Sequence, residues 1–202
     1  MADLEKGRIS MTDEAAFTLG ENIAATKGEV VYENELFQLI QYKPLTEKVS
    51  NRPLIIVPPF INKFYILDLQ EENSFVRYCL EQGNSVFIVS WVNPDAKKSE
   101  LHWDDYIESG LLRAFQVTKK IARSKKLNAV AWCVGGTLLA TALAVMHARK
   151  DRSIASATFF TTLLDFSEPG ELGVFIDPQQ VAERQDQVKK AGMLPGKDLA
   201  LI

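Results

Sequence analysis

Cys133 stands in the stretch Ala131-Trp132-Cys133-Val134-Gly135-Gly136, just after the apolar run LNAVAW and just before the helix-forming run TLLATALAV. A thiol among small residues between a strand and a helix is the layout of a nucleophile elbow. Such a turn is sharp and its backbone strained, so the neighbours packed against it must be small, and here Ala131, Gly135 and Gly136 fill those places. The turn lifts the side chain clear of the carboxyl edge of a sheet. It also aims the first N–H groups of the next helix at the reacting centre. A cysteine so placed can do covalent acyl transfer, taking an acyl group as a thioester and passing it to a second nucleophile. The same residues also fit a plain buried cysteine at a tight strand–helix turn. The strand order decides between them.

Hydrophobic patterning supplies that order. GEVVYENELFQLIQYKP (28–44) reads as an antiparallel hairpin around a turn at Glu33, Asn34 and Glu35. RPLIIVPPF follows as a continuous β-branched run ended by Pro58 and Pro59, a strand buried on both faces. NSFVRYCLEQG reads as a short helix with Ser74 as N-cap and Gly83 as its stop. SVFIVSW is the next strand. Ile107, Leu111, Ala114, Thr118 and Ile121 then recur at three and four, predicting an amphipathic helix over 104–125. LNAVAW is a strand, 135–150 a helix and ASATFFTTLLDF (155–166) a fourth strand. A polar helix is expected over 178–191. Hairpin, then alternating strand and helix, predicts an α/β fold with a mostly parallel sheet and helices on both faces. Cys133 follows the third parallel strand, where α/β-hydrolases keep their nucleophile, which favours the catalytic role. The expected organisation is an N-terminal segment (1–27), a partial α/β-hydrolase core (28–166) and the start of a cap region (167–202).

Composition narrows the partners. The 202 residues are 47% hydrophobic and 24% charged, as in ordinary globular proteins, and the net charge is −3. With no long basic run, nucleic acid is not the expected partner. The N-terminus lacks the basic start and apolar core of a signal peptide, so a cytoplasmic location is expected. No apolar stretch is long enough to predict a membrane span. Cys79 and Cys133 have neither metal-ligand nor disulfide-framework spacing, so no metal is expected and both should be free thiols. Cys79, on the helix 73–83, reads as a packing residue.

Beyond the elbow, ENELFQLIQYKP, PPFINKFYILDLQ, VFIVSWVNPD, WDDYIESG, AWCVGGTLLATALAV and TTLLDF resemble the polyhydroxyalkanoate synthases, the polyester-forming branch of the α/β-hydrolase fold. The resemblance covers roughly residues 15–180 and is closest to the class I enzymes, which prefer short-chain substrates. It implies a cysteine acyl-enzyme formed from (R)-3-hydroxyacyl-CoA, with coenzyme A thioester as substrate and no separate cofactor. By position it makes Cys133 the nucleophile and the Val134 N–H one oxyanion donor. The second donor would be the backbone of Ile61 or Phe60 in PPFINK, and Lys63 would meet an anionic part of coenzyme A. The implied partners are the growing polyester, a homodimer mate or synthase subunit, and the granule surface. Where the family usually has glycine, this chain has Ala131.

The implied general base and acid are missing. In the family both lie on strands later than Phe166. His147 falls fourteen residues beyond Cys133 along the same helix, about 20 Å away. His102 precedes a helix on the active edge but is not a family position, and Asp165 reads as a turn cap. The expectation is therefore the nucleophile-bearing part of a synthase, inactive alone. Two alternatives stand beside it: an esterase or thioesterase using His102, and a non-catalytic partner of a synthase subunit or granule.

Overall fold

The computed structural model describes residues 13–95, 98–175 and 177–193. Most of the stretch read as lacking a leader, and residues 194–202 of the expected cap, lie outside them. β1 (Gly28–Glu33) and β2 (Phe37–Tyr42) pair antiparallel. Asn34 makes the turn: its Oδ1 accepts the N–H groups of Leu36 (2.9 Å) and Phe37 (3.0 Å). β3 (Leu54–Val57) leads through a 3₁₀ turn (Phe64–Leu67) to a small ladder of β4 (Asp68–Gln70) and β5 (Asn73–Ser74), which the sequence did not suggest. α1 (Phe75–Glu81) starts on the Ser74 hydroxyl, which accepts the Arg77 N–H at 2.9 Å, and the chain reverses at Gly83 with φ +74°.

β6 (Val86–Trp91) is followed by one helical run: α2 (Trp103–Asp105), a π-helical stretch (Tyr106–Leu112) and α3 (Arg113–Ile121). β7 (Leu127–Trp132), α4 (Val134–Ala148), β8 (Ile154–Phe160) and α5 (Pro178–Ala191) complete the described order. The main sheet runs β1-β2-β6-β3-β7-β8, antiparallel at the hairpin and parallel from β6 to β8. Alternate residues of each central strand serve opposite faces. Ile55, Val57, Phe87, Val89 and Ala129 pack with α3 and α4, whereas Ile56, Val86, Ile88 and Val130 pack with α1. Both faces are covered, which is why these strands read as unbroken apolar runs.

Several boundaries differ from expectation, two of them by more than two residues. The fourth parallel strand ends at Phe160 rather than 166, because its partner β7 turns away at Cys133 and leaves nothing to pair with. Thr161 breaks the extended path with φ +45°, and Leu164 and Phe166 are exposed. The helix expected over 104–125 starts at Trp103 and ends at Ile121, and its first half is π-helical, accommodated beside the ring of Trp91. β8 is an edge of the described sheet, with Phe159 and Phe160 partly exposed. Among the described residues no helix is long and apolar enough to cross a membrane.

Candidate active site

β3 and β7 are neighbours, yet the chain after β3 goes to α1 on one face and the chain after β7 goes to α4 on the other. Adjacent strands that leave to opposite faces open a crevice at their carboxyl ends. Cys133 stands there as the residue preceding α4, with φ +49° and ψ −129°, outside the regions ordinary for L-residues. Its N–H donates to the Phe160 carbonyl (2.9 Å), and its own carbonyl accepts the Gly136 N–H (2.8 Å). The side chain is exposed.

The two glycines are small for different reasons. A Cβ on Gly135 would lie 2.7 Å from the carbonyl oxygens of Val57 and Pro58, so the helix start rests directly on the end of β3. A Cβ on Gly136 would meet the Thr162 side chain at 2.0 Å. Ala131 differs from both: it lies inside β7, buried and paired with Val57 and Phe159, and its methyl packs in the core rather than against the turn. The extra methyl relative to glycine therefore meets no positive-φ backbone.

Facing the elbow, the Asn62 N–H donates to the Pro59 carbonyl at 3.3 Å and closes a turn over Phe60 and Ile61. The N–H groups of those two residues have no hydrogen-bond partner among the described residues. The Val134 N–H, first in α4, has no acceptor within its helix. Pro59 and Asn62, which bracket the two loop N–H groups, line the same cavity as Cys133, and Val134 follows Cys133 directly. Pro59, Asn62, Ile66, Phe75, Trp132 and Cys133 line a cavity of about 460 Å³, with Asn73 at its wall. Trp132 stacks on Phe160 (4.2 Å between centroids) and meets Phe75 edge-on (5.1 Å), giving that cavity an apolar side.

No imidazole or carboxylate lines this cavity among the described residues. His147 sits in the last turn of α4, in a groove with Arg52, Lys126 and Arg152. His102 caps α2, its N–H donating to Asp105 Oδ2 at 2.8 Å. Asp165 caps a turn: the Ser167 N–H donates to it at 2.9 Å and holds its carboxyl below the usual range. Lys63 Nζ donates to Asn93 Oδ1 at 2.7 Å. Cys79 lies on the buried face of α1, and burial pushes its thiol up to about 11. Among the described residues no cluster could hold a metal ion. Sequence reasoning passed over Asn62, Asn73, Phe75 and Thr162. Only the tertiary fold brings them to Cys133, and their types carry no motif.

Two proteins from the metagenome of Lake Arreo, an ester hydrolase and a Ser-to-Ala variant of an α/β-hydrolase enzyme, share the fold. Their TM-scores are 0.55 and 0.54 at 13% identity, each covers 86% of this chain, and this chain covers 60% and 59% of them. Residues 1–79 match the family model described as Poly-beta-hydroxybutyrate polymerase (PhaC) N-terminus. The poly(3-hydroxyalkanoate) polymerase subunit PhaC of Cupriavidus necator is 56% identical over 92% of this chain. That of Rhizobium etli is 44% identical over 96%. The chain spans about a third of the length of these relatives, 31% and 30%. By sequence over nearly its whole length the chain belongs to the polyhydroxyalkanoate polymerase family, and its architecture is part of an α/β-hydrolase fold.

Proposed function

We propose that this chain carries the acyl-accepting half of a polyhydroxyalkanoate polymerase, with Cys133 as the nucleophile. The observation that most supports this is an exposed thiol at the strained β7–α4 turn, beside an apolar cavity lined also by Pro59 and Asn62, the two ends of the turn that holds the unpaired Phe60 and Ile61 N–H groups. The Cys133 thiolate attacks the thioester carbonyl of a short-chain (R)-3-hydroxyacyl-CoA. A carbon–sulfur bond forms, and the carbonyl oxygen takes negative charge between the Val134 N–H and that of Ile61 or Phe60. Collapse expels the coenzyme A thiolate, which takes up a proton. Exchange of one thioester for another is nearly neutral in free energy, so the acyl group stays activated. A hydroxyl from the next unit or the growing polyester then attacks, forming the ester and freeing the thiolate.

That second step needs a base to take the hydroxyl proton, and the described cavity offers none. In this chain alone acylation therefore stops at the acyl-enzyme. The Phe75–Trp132–Phe160 wall suits a short aliphatic acyl chain, and exposed Ile61, Ile66 and Trp103 near the same sheet edge suit an apolar polyester or granule surface. We read residues 167–202 as the start of a cap region, as the family resemblance implies.

The test is intact-mass analysis after incubation with 3-hydroxybutyryl-CoA, followed by peptide mapping. One adduct is expected, on Cys133, absent in Cys133→Ala and retained in Cys79→Ala. Steady release of free acid would assign an esterase or thioesterase instead. No adduct on a folded sample would remove the catalytic reading altogether.

A further inference from the structure

Trp91 ends β6, after Val86, Phe87, Ile88, Val89 and Ser90. Its indole N–H donates to the Pro58 carbonyl at 2.9 Å, a buried contact across 33 residues of sequence. Pro58 starts the loop that carries the free N–H groups of Phe60 and Ile61, and its carbonyl is one of the two against which Gly135 rests. The same loop is gripped a second time. The Phe60 ring lies edge-on to Trp91 (6.3 Å) and Trp103 (6.0 Å) and tilted on Tyr106 (5.3 Å), and Trp91 in turn meets Tyr106 at 5.6 Å.

The π-helical stretch Tyr106–Leu112 is what seats this cluster. Gly110 is buried within it, and a Cβ there would lie 3.2 and 3.3 Å from the Trp91 ring. A π-turn widens the helix locally and often marks a functional position. Here it leaves room at Gly110 for the indole while turning Tyr106 toward Phe60.

Resting on the acyl-transfer reading above, we propose that Trp91 is a positioning residue for the oxyanion loop. It fixes the Pro58 carbonyl and the Phe60 ring so that the loop N–H groups are aimed before substrate arrives, and the π-turn at Gly110 holds its indole in place. Donors aimed in advance need no reorganisation during reaction, and a misplacement of about 1 Å can cost about 100-fold in rate. Trp91 touches neither thiol nor acyl group, so its effect should fall on steps that build an oxyanion and spare those that do not.

Trp91→Phe removes the N–H and keeps most of the ring. The readout is a ratio at Cys133: acylation by a phenyl thioester of 3-hydroxybutyrate, whose leaving group needs no acid, over alkylation by iodoacetamide, which builds no oxyanion. The expected result is a fall of about 10- to 100-fold in that ratio with alkylation unchanged. Gly110→Ala, which displaces the ring by a few tenths of an ångström, should lower it by about threefold to tenfold and decides the matter if Trp91→Phe does not fold. An unchanged ratio, or both rates falling together, would overturn the proposal. Should the parent chain alkylate but not acylate, the acyl-transfer reading fails by itself. Hydrogen exchange of the Asn62 amide then judges the positioning role: about tenfold faster exchange in Trp91→Phe upholds it, and unchanged exchange overturns it.

Discussion

The backbone of Cys133 stores strain that a single substitution can release. At φ +49° and ψ −129° a residue with a Cβ sits in a sparsely populated region, at a cost of about 1–3 kcal/mol. Glycine has no Cβ and pays little there, but it makes the unfolded chain more flexible, an opposing cost of about 0.4–1 kcal/mol. Cys133→Ala is the reference, since it keeps the Cβ and loses only an exposed sulfur. Cys133→Gly should therefore be more stable than Cys133→Ala by about 1 kcal/mol, the difference of the two midpoints. For a chain of this size that is about 2–4 °C in melting temperature. Differential scanning calorimetry of the two variants, with urea unfolding as a second route, measures it. Lys150→Gly is the calibration: Lys150 is exposed at φ +60° just past α4, and its relief should also be stabilising. If Lys150→Gly raises stability while Cys133→Gly melts at or below Cys133→Ala, no strain is held at the elbow. The sharp-turn account of the thiol's exposure then fails with it.

The two glycines of α4 should respond differently. Gly135→Ala drives a methyl into two backbone carbonyls and should cost about 3 kcal/mol or more, a urea midpoint lower by about 1.5 M. Gly136→Ala meets only the Thr162 side chain and should be relieved by adding Thr162→Gly; equal losses with no rescue would contradict the contacts drawn here. At pH 8 iodoacetamide should label Cys133 at least about 100-fold faster than Cys79, because Cys79 is buried and its thiol is raised to about 11. Comparable labelling in a mapped digest would rule that out. Hydrogen bonds from Arg149 hold the Glu108 carboxyl below its ordinary value. A lowered folded value means the ion pair's contribution is present above the unfolded value of about 4.3 and is lost as pH falls through the folded one. Both side chains are about half exposed, so the effect is small. The stability gap between the parent chain and Glu108→Gln should be present at pH 7 and shrink as pH falls below about 4.3 toward acid. A gap constant over that range would refute the pairing.

Much of the fold was legible in the residues. Unbroken β-branched runs mark strands buried on both sides, and RPLIIVPPF, SVFIVSW and LNAVAW lie side by side as parallel β3, β6 and β7. Local chemistry was equally readable: Asn34 in the hairpin turn, Ser74 on α1, and glycines after Cys133 where a helix must approach a strand end. Such signals are short in range, set by one residue's conformational freedom or by a side-chain period. The end of β8 was not legible, because a strand stops where its neighbour stops, and apolar Leu163, Leu164 and Phe166 do not record that β7 has turned away. The π-turn was not legible either. The spacing of Ile107, Leu111 and Ala114 fits an ordinary helix, and only the Trp91 ring against Gly110 shows what the wider turn accommodates. The thiol was legible from its own neighbours, whereas the loop N–H groups of Phe60 and Ile61 were named only through the family resemblance. Pro59 and Asn62, which bracket Phe60 and Ile61, share a cavity with Cys133 only because β3 and β7 pair while their chains leave to opposite faces, a juxtaposition made by the sheet and written in neither segment alone.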